Sequence, residues 1–249
     1  MDHANATFLT AADLTLAALA FVSGSADIFA FLKFHDVFTS AMTGNTALLG
    51  LALGQGHILA AQRSLAALFG FCCGSIAGTI ANEAAANRSR AGRLCLLIGA
   101  EAVCLTAVLV LWAITRHPVY GPLLYVLILT GAFAMGLQSI AAREINIPGI
   151  NTVVVTNTLT LVMSAVGAAL RRSLRQGRAD VSPFTPVVLR QSGMLGIYLG
   201  GAALSGLLAE TLPSLIAIPA LVAVLLAFVT ARSFRDKPRQ SIIRSDGLI

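Results

Sequence analysis

Charged residues are scarce in this chain: they make up 11% of its 249 residues, against roughly 25% in a soluble domain. Hydrophobic residues make up 57%, and the mean hydropathy is +0.83. The chain is therefore predicted to be an integral membrane protein. Its formal net charge of +6 comes from bases in loops between apolar runs, which indicates membrane topology and not a nucleic-acid partner.

Cysteine and histidine are also few, with four of each. Their spacing matches no metal site, and the chain has neither a Walker loop nor an HExxH motif, so we expect no cofactor, no metal and no enzymatic activity. The cysteines all lie in apolar runs and are predicted to be small core residues. No Lys or Arg precedes the first apolar run, so no cleavable signal peptide is expected.

Eight apolar runs are long enough to reach into or across a bilayer, which takes about 20 helical residues for a full span. They are residues 14–32, 37–53, 65–81, 94–114, 120–142, 152–170, 187–209 and 213–231. The loops between them are short, so residues 1–232 are predicted to form a single transmembrane domain. Residues 233–249 are predicted to be a basic cytoplasmic tail.

Two stretches about 112 residues apart carry nearly the same polar pattern inside apolar runs. The first includes residues 24–28 and 38–46, and the second includes residues 136–140 and 150–158. A gap-free alignment matches Phe21 with Phe133, Gly24 with Gly136, Ile28 with Ile140, Ala30 with Ala142, Asn45 with Asn157 and Leu49 with Leu161. The pattern predicts an all-α, polytopic bundle built from two repeats, near 14–115 and 119–232.

The second and sixth runs differ from the rest because Ser, Thr and Asn occupy their first halves. Either they are full helices with a polar face, giving eight spans, or they are re-entrant or broken helices, giving six full spans plus two partial ones. If they do not cross, 14 of the 17 Lys and Arg residues share one side, whereas eight crossings give 12 against 5 at best. This favours six spans and inverted repeats, and both arrangements place the two termini in the cytoplasm.

Asn45 and Asn157 are the first candidates for a binding site, because an amide is costly in lipid unless it is satisfied. Each could cap an apolar half-helix, whose free N–H groups favour an anion or a polar carbonyl solute. The alternative is that they hydrogen-bond between neighbouring helices. The threonines that flank them are Thr43 and Thr46 in the first repeat and Thr156 and Thr158 in the second.

Asp27 is the second candidate, since it lies about 13 residues into the first run among apolar neighbours. A carboxylate at that depth could bind a cation, carry a proton, or pair with Lys33 or Arg143 near a membrane face. Its repeat counterpart is a serine with Gln138 beside it, so the repeats share a polar locus but not a charge. Glu101 is alone in the fourth run, where it either faces a cavity or is neutral.

Small residues recur every four positions in two of the runs. They are Gly70, Gly74 and Gly78 in the third run, and Gly196 and Gly200 in the seventh, next to Gly201 and Ser205. This spacing lets helices approach closely, so both sets are predicted to be packing faces. The contacts could lie within the chain or between copies in a homo-oligomer.

Residues 27–31 and 38–46, with 136–139 and 155–157 in the second repeat, resemble the YoaK-like family of small bacterial membrane proteins, classed as a domain of unknown function. The most specific piece is the Thr-Gly-Asn step at 43–45 together with Asp27. The resemblance covers about residues 14–232 and implies a fold and a membrane location, but no substrate. It also implies a second Thr-Gly-Asn step, where this chain has Val-Thr-Asn at 155–157.

Together these features predict a transporter or channel for a small polar or anionic solute in the bacterial cytoplasmic membrane. Its site would lie between Asn45 and Asn157, near Asp27. The alternative is a non-transporting membrane scaffold or assembly partner, in which both asparagines are buried and hydrogen-bonded and no cavity reaches them. A lipid-modifying enzyme would need a nucleophile and a base within hydrogen-bond reach, and no spacing indicates such a pair.

Overall fold

A computed structural model of the chain describes residues 10–115, 117–145, 155–176 and 186–234, without the side chains of 155–157 and 176. These ranges form eight α-helices and contain no strand. The helices are α1 (Ala11–Lys33), α2 (Met42–Gly54), α3 (Ile58–Ala84), α4 (Arg90–Ile114), α5 (Pro122–Ile145), α6 (Val155–Gln176), α7 (Pro186–Thr211) and α8 (Ile218–Ala231). Most of the predicted tail lies outside the described residues.

Six segments are long and apolar enough to cross a bilayer: α1, α3, α4, α5, α7, and α8 joined to the 3-10 turn before it as Pro213–Ala231. The two remaining helices, α2 and α6, correspond to the second and sixth apolar runs. The predicted all-α bundle with six full spans is therefore confirmed. At 13 residues, α2 is about 20 Å long, which is too short for a hydrocarbon core of about 30 Å.

Short polar residues fix where the first and fourth helices begin. The Thr10 hydroxyl accepts the Asp13 N–H at 3.2 Å while the Asp13 carboxylate accepts the Thr10 N–H at 3.0 Å, which is a capping box. The Ser89 hydroxyl accepts the Gly92 N–H in the same way at the start of α4. These caps satisfy N–H groups that would otherwise have no partner at the membrane boundary.

Helices α1 and α7 run in the same direction. Asp13 and Arg190, near the two helix starts, form an ion pair at 3.4 Å. Further along, the Ser25 and Ser205 hydroxyls are 2.6 Å apart. Helix α8 runs the other way, because its last residues reach Thr15 of α1 through Thr230 at 2.8 Å.

The same relations hold around α5. Helix α3 is parallel to α5, since Gln62 bonds Tyr125 near both starts and Asn82 bonds Glu144 near both ends. Helix α4 is antiparallel to α5, because Arg90 at its start donates to the Glu144 carbonyl. Helix α1 is antiparallel to α5, because His35 just after α1 contacts Val119 just before α5. Each span of the first half is therefore opposite in direction to its counterpart in the second half: α1 to α5, α3 to α7, and α4 to α8.

The two groups of spans pack on one another through matching pairs of helices. Helix α3 packs on α5 as α7 packs on α1, and α4 packs on α5 as α8 packs on α1. The short helices follow the same scheme, with α2 on α3 and α6 on α7. Exchanging the two halves of the chain leaves these pairings unchanged.

Glycines make the closest of these approaches at the α1–α7 crossing. A Cβ added to Gly24 would lie 2.0 Å from the Tyr198 carbonyl oxygen, and one added to Gly201 would lie 2.4 Å from that of Phe21. Any side chain larger than hydrogen would therefore separate the two backbones.

The α3–α5 crossing uses equivalent atoms. A Cβ on Gly136 would lie 2.4 Å from the Phe71 carbonyl oxygen, and one on Gly74 would lie 2.1 Å from that of Phe133. In the gap-free alignment Phe133 is the counterpart of Phe21, and Gly136 that of the glycine on α1. The close contacts thus fall on residues that the sequence repeat already pairs.

The predicted packing faces are confirmed in α3 and corrected in α7. Gly70 and Gly78 contact α5 on either side of the α3–α5 crossing. In α7 the packing residues are Gly201 and Ser205, whereas added Cβ atoms on Gly196 and Gly200 would meet nothing within 4 Å. The face of α7 that packs on α1 is therefore displaced by one residue along the helix from the glycines that recur every four positions.

The cysteines do not all lie in the core. All four are unpaired thiols; Cys72 is exposed on α3, and the other three are half-buried. The prediction that they are core residues is wrong for Cys72, which lies on the outer surface of the bundle.

The bundle has two ends, which we call the arginine face and the histidine face. The arginine face carries Arg90, Arg93 and Arg190, at the starts of α4 and α7. The histidine face carries His35 and His117, at the other ends of α1 and α4. Each span connects these two faces.

Candidate functional site

Residues 34–54, which we call the re-entrant segment, leave the histidine face and return to it. His35 and Asp36 adopt left-handed φ angles of 59° and 64°, which reverse the chain after α1. His35 is held there by a 3.2 Å contact of Nε2 with the Val119 carbonyl and by stacking on Tyr120. After α2 the chain enters α3, whose first turns lie beside the start of α5.

The tip of this segment reaches the middle of the bundle. A Cβ on Gly131 would lie 3.1 Å from the Thr39 methyl group. Gly131 is the tenth residue of α5, so the tip lies about 14 Å below the start of that helix. That depth is close to the centre of a hydrocarbon core of about 30 Å.

Asp27 holds the tip in place. Its side chain is fully buried, at 0% exposure. Its Oδ1 accepts the N–H groups of Thr39 at 2.8 Å and Ser40 at 2.6 Å, and the Thr39 hydroxyl at 3.1 Å. Its Oδ2 accepts the hydroxyls of Ser40 at 2.7 Å and Tyr198 at 2.9 Å. Five donors therefore surround one carboxyl group.

This arrangement differs from one of the alternatives for Asp27, an ion pair with Lys33 or Arg143. Within the described residues, no basic side chain forms an ion pair with Asp27. Hydrogen bonds to a charged group contribute about 1.5–3 kcal/mol each, so five donors can replace a counter-ion in stabilising the carboxylate. They also satisfy backbone groups of a non-helical segment at membrane depth, as lipid demands.

Asn45 secures the other side of the tip. It is buried in the first turns of α2, at 0% exposure. Its Oδ1 accepts the Phe38 N–H at 2.9 Å, and its Nδ2 donates to the Phe38 carbonyl at 2.7 Å. The amide thus satisfies both backbone groups of a residue that lies outside any helix.

The other predicted site residues lie in different surroundings. Thr43 and Thr46 are exposed on α2, and the Thr46 hydroxyl bonds the Met42 carbonyl in its own helix. Thr158 is buried in α6. The side chains of Thr156 and Asn157 lie outside the described residues, so the predicted pairing of the two asparagines stays a prediction.

Gln138 is buried but belongs to a different contact. Its Nε2 donates to the Leu19 carbonyl at 3.0 Å and to the Ser23 hydroxyl oxygen at 2.7 Å, joining α5 to α1. Both partners lie on the arginine-face side of Asp27 along α1. The structure therefore brings Asp27 and Asn45 to one segment and leaves Gln138 apart.

We call Asp27 and its hydrogen-bond donors Thr39, Ser40 and Tyr198 the Asp27 cluster. These three donors were not among the predicted site residues. The first two stand in the polar stretch that marked the first repeat. Tyr198 is one of three tyrosines in the chain and places a hydroxyl within the apolar α7, which is the signal that could have indicated it.

Two cavities lie elsewhere in the bundle. An apolar groove of about 650 Å³ runs between α1, α7 and α8. A more polar vestibule of about 630 Å³ opens at the histidine face, lined by Lys33, His35 and His117 among others. Neither is lined by Asp27 or Asn45.

Comparison with known proteins places the chain in a family. The family described as "Protein of unknown function (DUF1275)" matches residues 15–231, which include the re-entrant segment and all six spans except the first four residues of α1. The chain belongs to the DUF1275 family. The YoaK-like resemblance drawn from the residues is thereby confirmed.

A curated relative of this DUF1275 protein is the UPF0700 transmembrane protein YoaK of Bacillus subtilis (strain 168). The two are 32% identical over 155 residues, covering 62% of this chain and 67% of the relative. The relative's description as a transmembrane protein agrees with the six spans. No solved structure matches the chain.

Proposed function

We propose that this DUF1275 protein carries a small polar solute across the membrane, with the re-entrant segment lining the path and the Asp27 cluster forming the site. One observation carries the proposal: a donor-rich, non-helical tip lies at mid-membrane depth between spans of opposite orientation. Secondary transporters place their sites at interrupted helices near the bilayer midplane, between inverted repeats. The protein would act as a carrier or channel and not as an enzyme.

The hydrogen-bond donors around Asp27 limit the chemical class of solute that the site can bind. Thr39 and Ser40 each bind Asp27 through both a backbone N–H and a hydroxyl, whereas Tyr198 reaches it from α7 by a single hydroxyl. Tyr198 is therefore the donor that a solute N–H or O–H group could replace on Oδ2. A carboxylate repels anions, so this site favours a neutral or cationic donor over the anionic solute that the helix N-terminus suggested.

The proposal includes an internal duplication with inverted orientation. It is supported by the gap-free sequence alignment, by the opposite directions of the two sets of spans, and by the equivalent glycine crossings of α1–α7 and α3–α5. In such a protein the two halves can rock against each other around a central site. We further propose that the arginine face is cytoplasmic, following the positive-inside rule.

The scaffold alternative is favoured by one specific observation. Asn45 is buried, and its amide is fully engaged with Phe38, as that alternative expects. In that case the Asp27 cluster serves only to fold the re-entrant segment, and no solute reaches it.

Flux measurements on purified protein in liposomes separate the two. Tyr198→Phe removes one bond to Asp27 and is expected to change solute affinity by about tenfold, the effect of roughly 1.4 kcal/mol. Ser205→Ala is the matched control, since it removes another hydroxyl contact between α7 and α1 outside the cluster. Transport is contradicted if folded protein shows neither flux nor ligand-induced stabilisation across a broad panel of polar solutes.

A further inference from the structure

Glu101 is a second acid in the membrane interior, and its surroundings differ from those of Asp27. It is the twelfth residue of the 25-residue α4 and is fully buried. Leu97, Ile98, Ala102 and Leu105 flank it in the apolar core formed by α1, α4, α5 and α8. Within the described part of the chain, neither Glu101 oxygen has a hydrogen-bond partner, and no basic side chain forms an ion pair with it.

An ionised carboxylate without partners is not stable in such a place, because removing its hydration shell costs several kcal/mol even after relaxation. The neutral acid is the form that this environment favours. A neutral carboxyl group carries one O–H donor, which itself needs an acceptor.

Gln138 offers that acceptor. It is 1% exposed, and its Oε1 has no hydrogen-bond partner among the described residues. Its Nε2 is committed to the Leu19 carbonyl and the Ser23 hydroxyl. Because a carbonyl can only accept, the amide cannot be turned over without losing the bond to Leu19, so Oε1 is the atom left free.

The register of α4 against α5 places the two groups at similar heights. Arg90 meets the carbonyls of Glu144 and Ile145 at the arginine face. Arg93 also pairs with Glu144. At about 1.5 Å per residue, Glu101 lies about 12 Å along α4 from Arg93 and Gln138 about 9 Å along α5 from Glu144, so the two groups lie within one helical turn of each other. Side chains lean toward the N-terminus of their own helix, and in an antiparallel pair this tilts the two groups toward each other.

We propose that Glu101 is a proton-binding site whose proton is held between its carboxyl group and Oε1 of Gln138. Two acceptor-only groups can bond only when one of them carries a proton, so a single proton satisfies both unpartnered groups. The inference that this proton couples to solute movement rests on the proposed transport function. The protonated pair itself does not.

The other titratable groups on α4 and on the helices packed against it can be compared with Glu101 by position. Cys104, one turn along α4, interacts electrostatically with Glu101. On the packed helices, α8 carries no charged residue, and the charges of α3 and α5 lie toward their ends. The titratable residues of α3 and α5, with the remaining ones of α4, are Arg63, Cys72, Cys73, Glu83, Arg90, Arg93, Cys95, Tyr125, Arg143 and Glu144.

Infrared spectroscopy of the full chain in lipid nanodiscs tests the proposal. We expect a protonated carboxyl C=O band at neutral pH that is lost in Glu101→Gln and retained in Asp27→Asn. Gln138→Met keeps the length of the side chain but removes the acceptor, so it should shift the band to higher frequency, while Ser25→Ala should not. Glu101→Gln should fold like the wild type, because its amide N–H can replace the acid O–H.

Two results would overturn the proton site: identical spectra for the wild type and Glu101→Gln, or a Glu101 band that Gln138→Met leaves in place. Flux measurements test the transport proposal separately from the infrared band. Absent flux with the band present contradicts the coupling and the transport proposal, whereas flux with the band absent contradicts the proton site alone.

Discussion

At the scale of single residues, the protein stabilises two buried acids in different ways. Asp27 gathers five donors, two of them backbone N–H groups of the re-entrant tip, and so remains compatible with a negative charge. Glu101 has apolar neighbours and no hydrogen-bond partner among the described residues, which suits only the neutral form. Burial alone therefore does not tell what an intramembrane carboxyl group does; the donors and acceptors around it decide.

Asn45→Ala is predicted to destabilise the fold. It leaves the Phe38 N–H and carbonyl without their partners at membrane depth, which costs about 1–3 kcal/mol for a buried polar group. Thr46→Ala, one position further on the exposed side of α2, should change little because its hydroxyl bonds only its own helix. Thermal unfolding in detergent measures both. An Asn45→Ala variant as stable as Thr46→Ala would show that the amide is not what holds the tip.

At the scale of elements, much of the fold could be read from the sequence. Apolar length and loop charge favoured the six spans, whereas the polar first half of residues 37–53 left open a full helix or a re-entrant one and only loop charge favoured the helix that does not cross. The partners of Asp27 could not be predicted, because the reach of Tyr198 depends on where α7 crosses α1. The packing register of α7 was missed for the same reason: regular glycine spacing shows that a face exists, but the partner helix selects Gly201 over Gly200.

The two glycine crossings predict matched effects of one methyl group. Gly74→Ala and Gly201→Ala would each place a Cβ within 2.4 Å of a carbonyl oxygen on the partner helix, so each should destabilise the bundle by about 1–3 kcal/mol. Gly196→Ala has open space and should be neutral or gain up to about 1 kcal/mol from helix propensity. Unfolding in a denaturing detergent series compares the three. Equal stability in all three would contradict the close backbone approach.

At the scale of the whole molecule, the non-crossing α2 sets the orientation of everything after it. Because residues 34–54 begin and end at the histidine face, α3 runs opposite to α1. After the three crossings of α1, α3 and α4, α5 enters the bilayer in the direction opposite to α1. An odd number of crossings per half is what makes the halves opposite in orientation, and it places α2 and α6 at opposite faces. If α2 crossed instead, all subsequent loops would change sides.

That consequence gives a prediction of sidedness. In a chain whose native cysteines are replaced, Gln55→Cys, in the exposed turn after α2, and Gly121→Cys, before α5, should react with a membrane-impermeant maleimide from the same side. Ala86→Cys, in the exposed turn between α3 and α4, should react only from the other side. With the arginine face proposed to be cytoplasmic, Ala86→Cys should label only after permeabilisation of intact cells. Labelling of Gln55→Cys on the opposite side from Gly121→Cys would mean that α2 or α3 is placed differently in the bilayer, and the re-entrant segment would have to be abandoned together with the site at its tip.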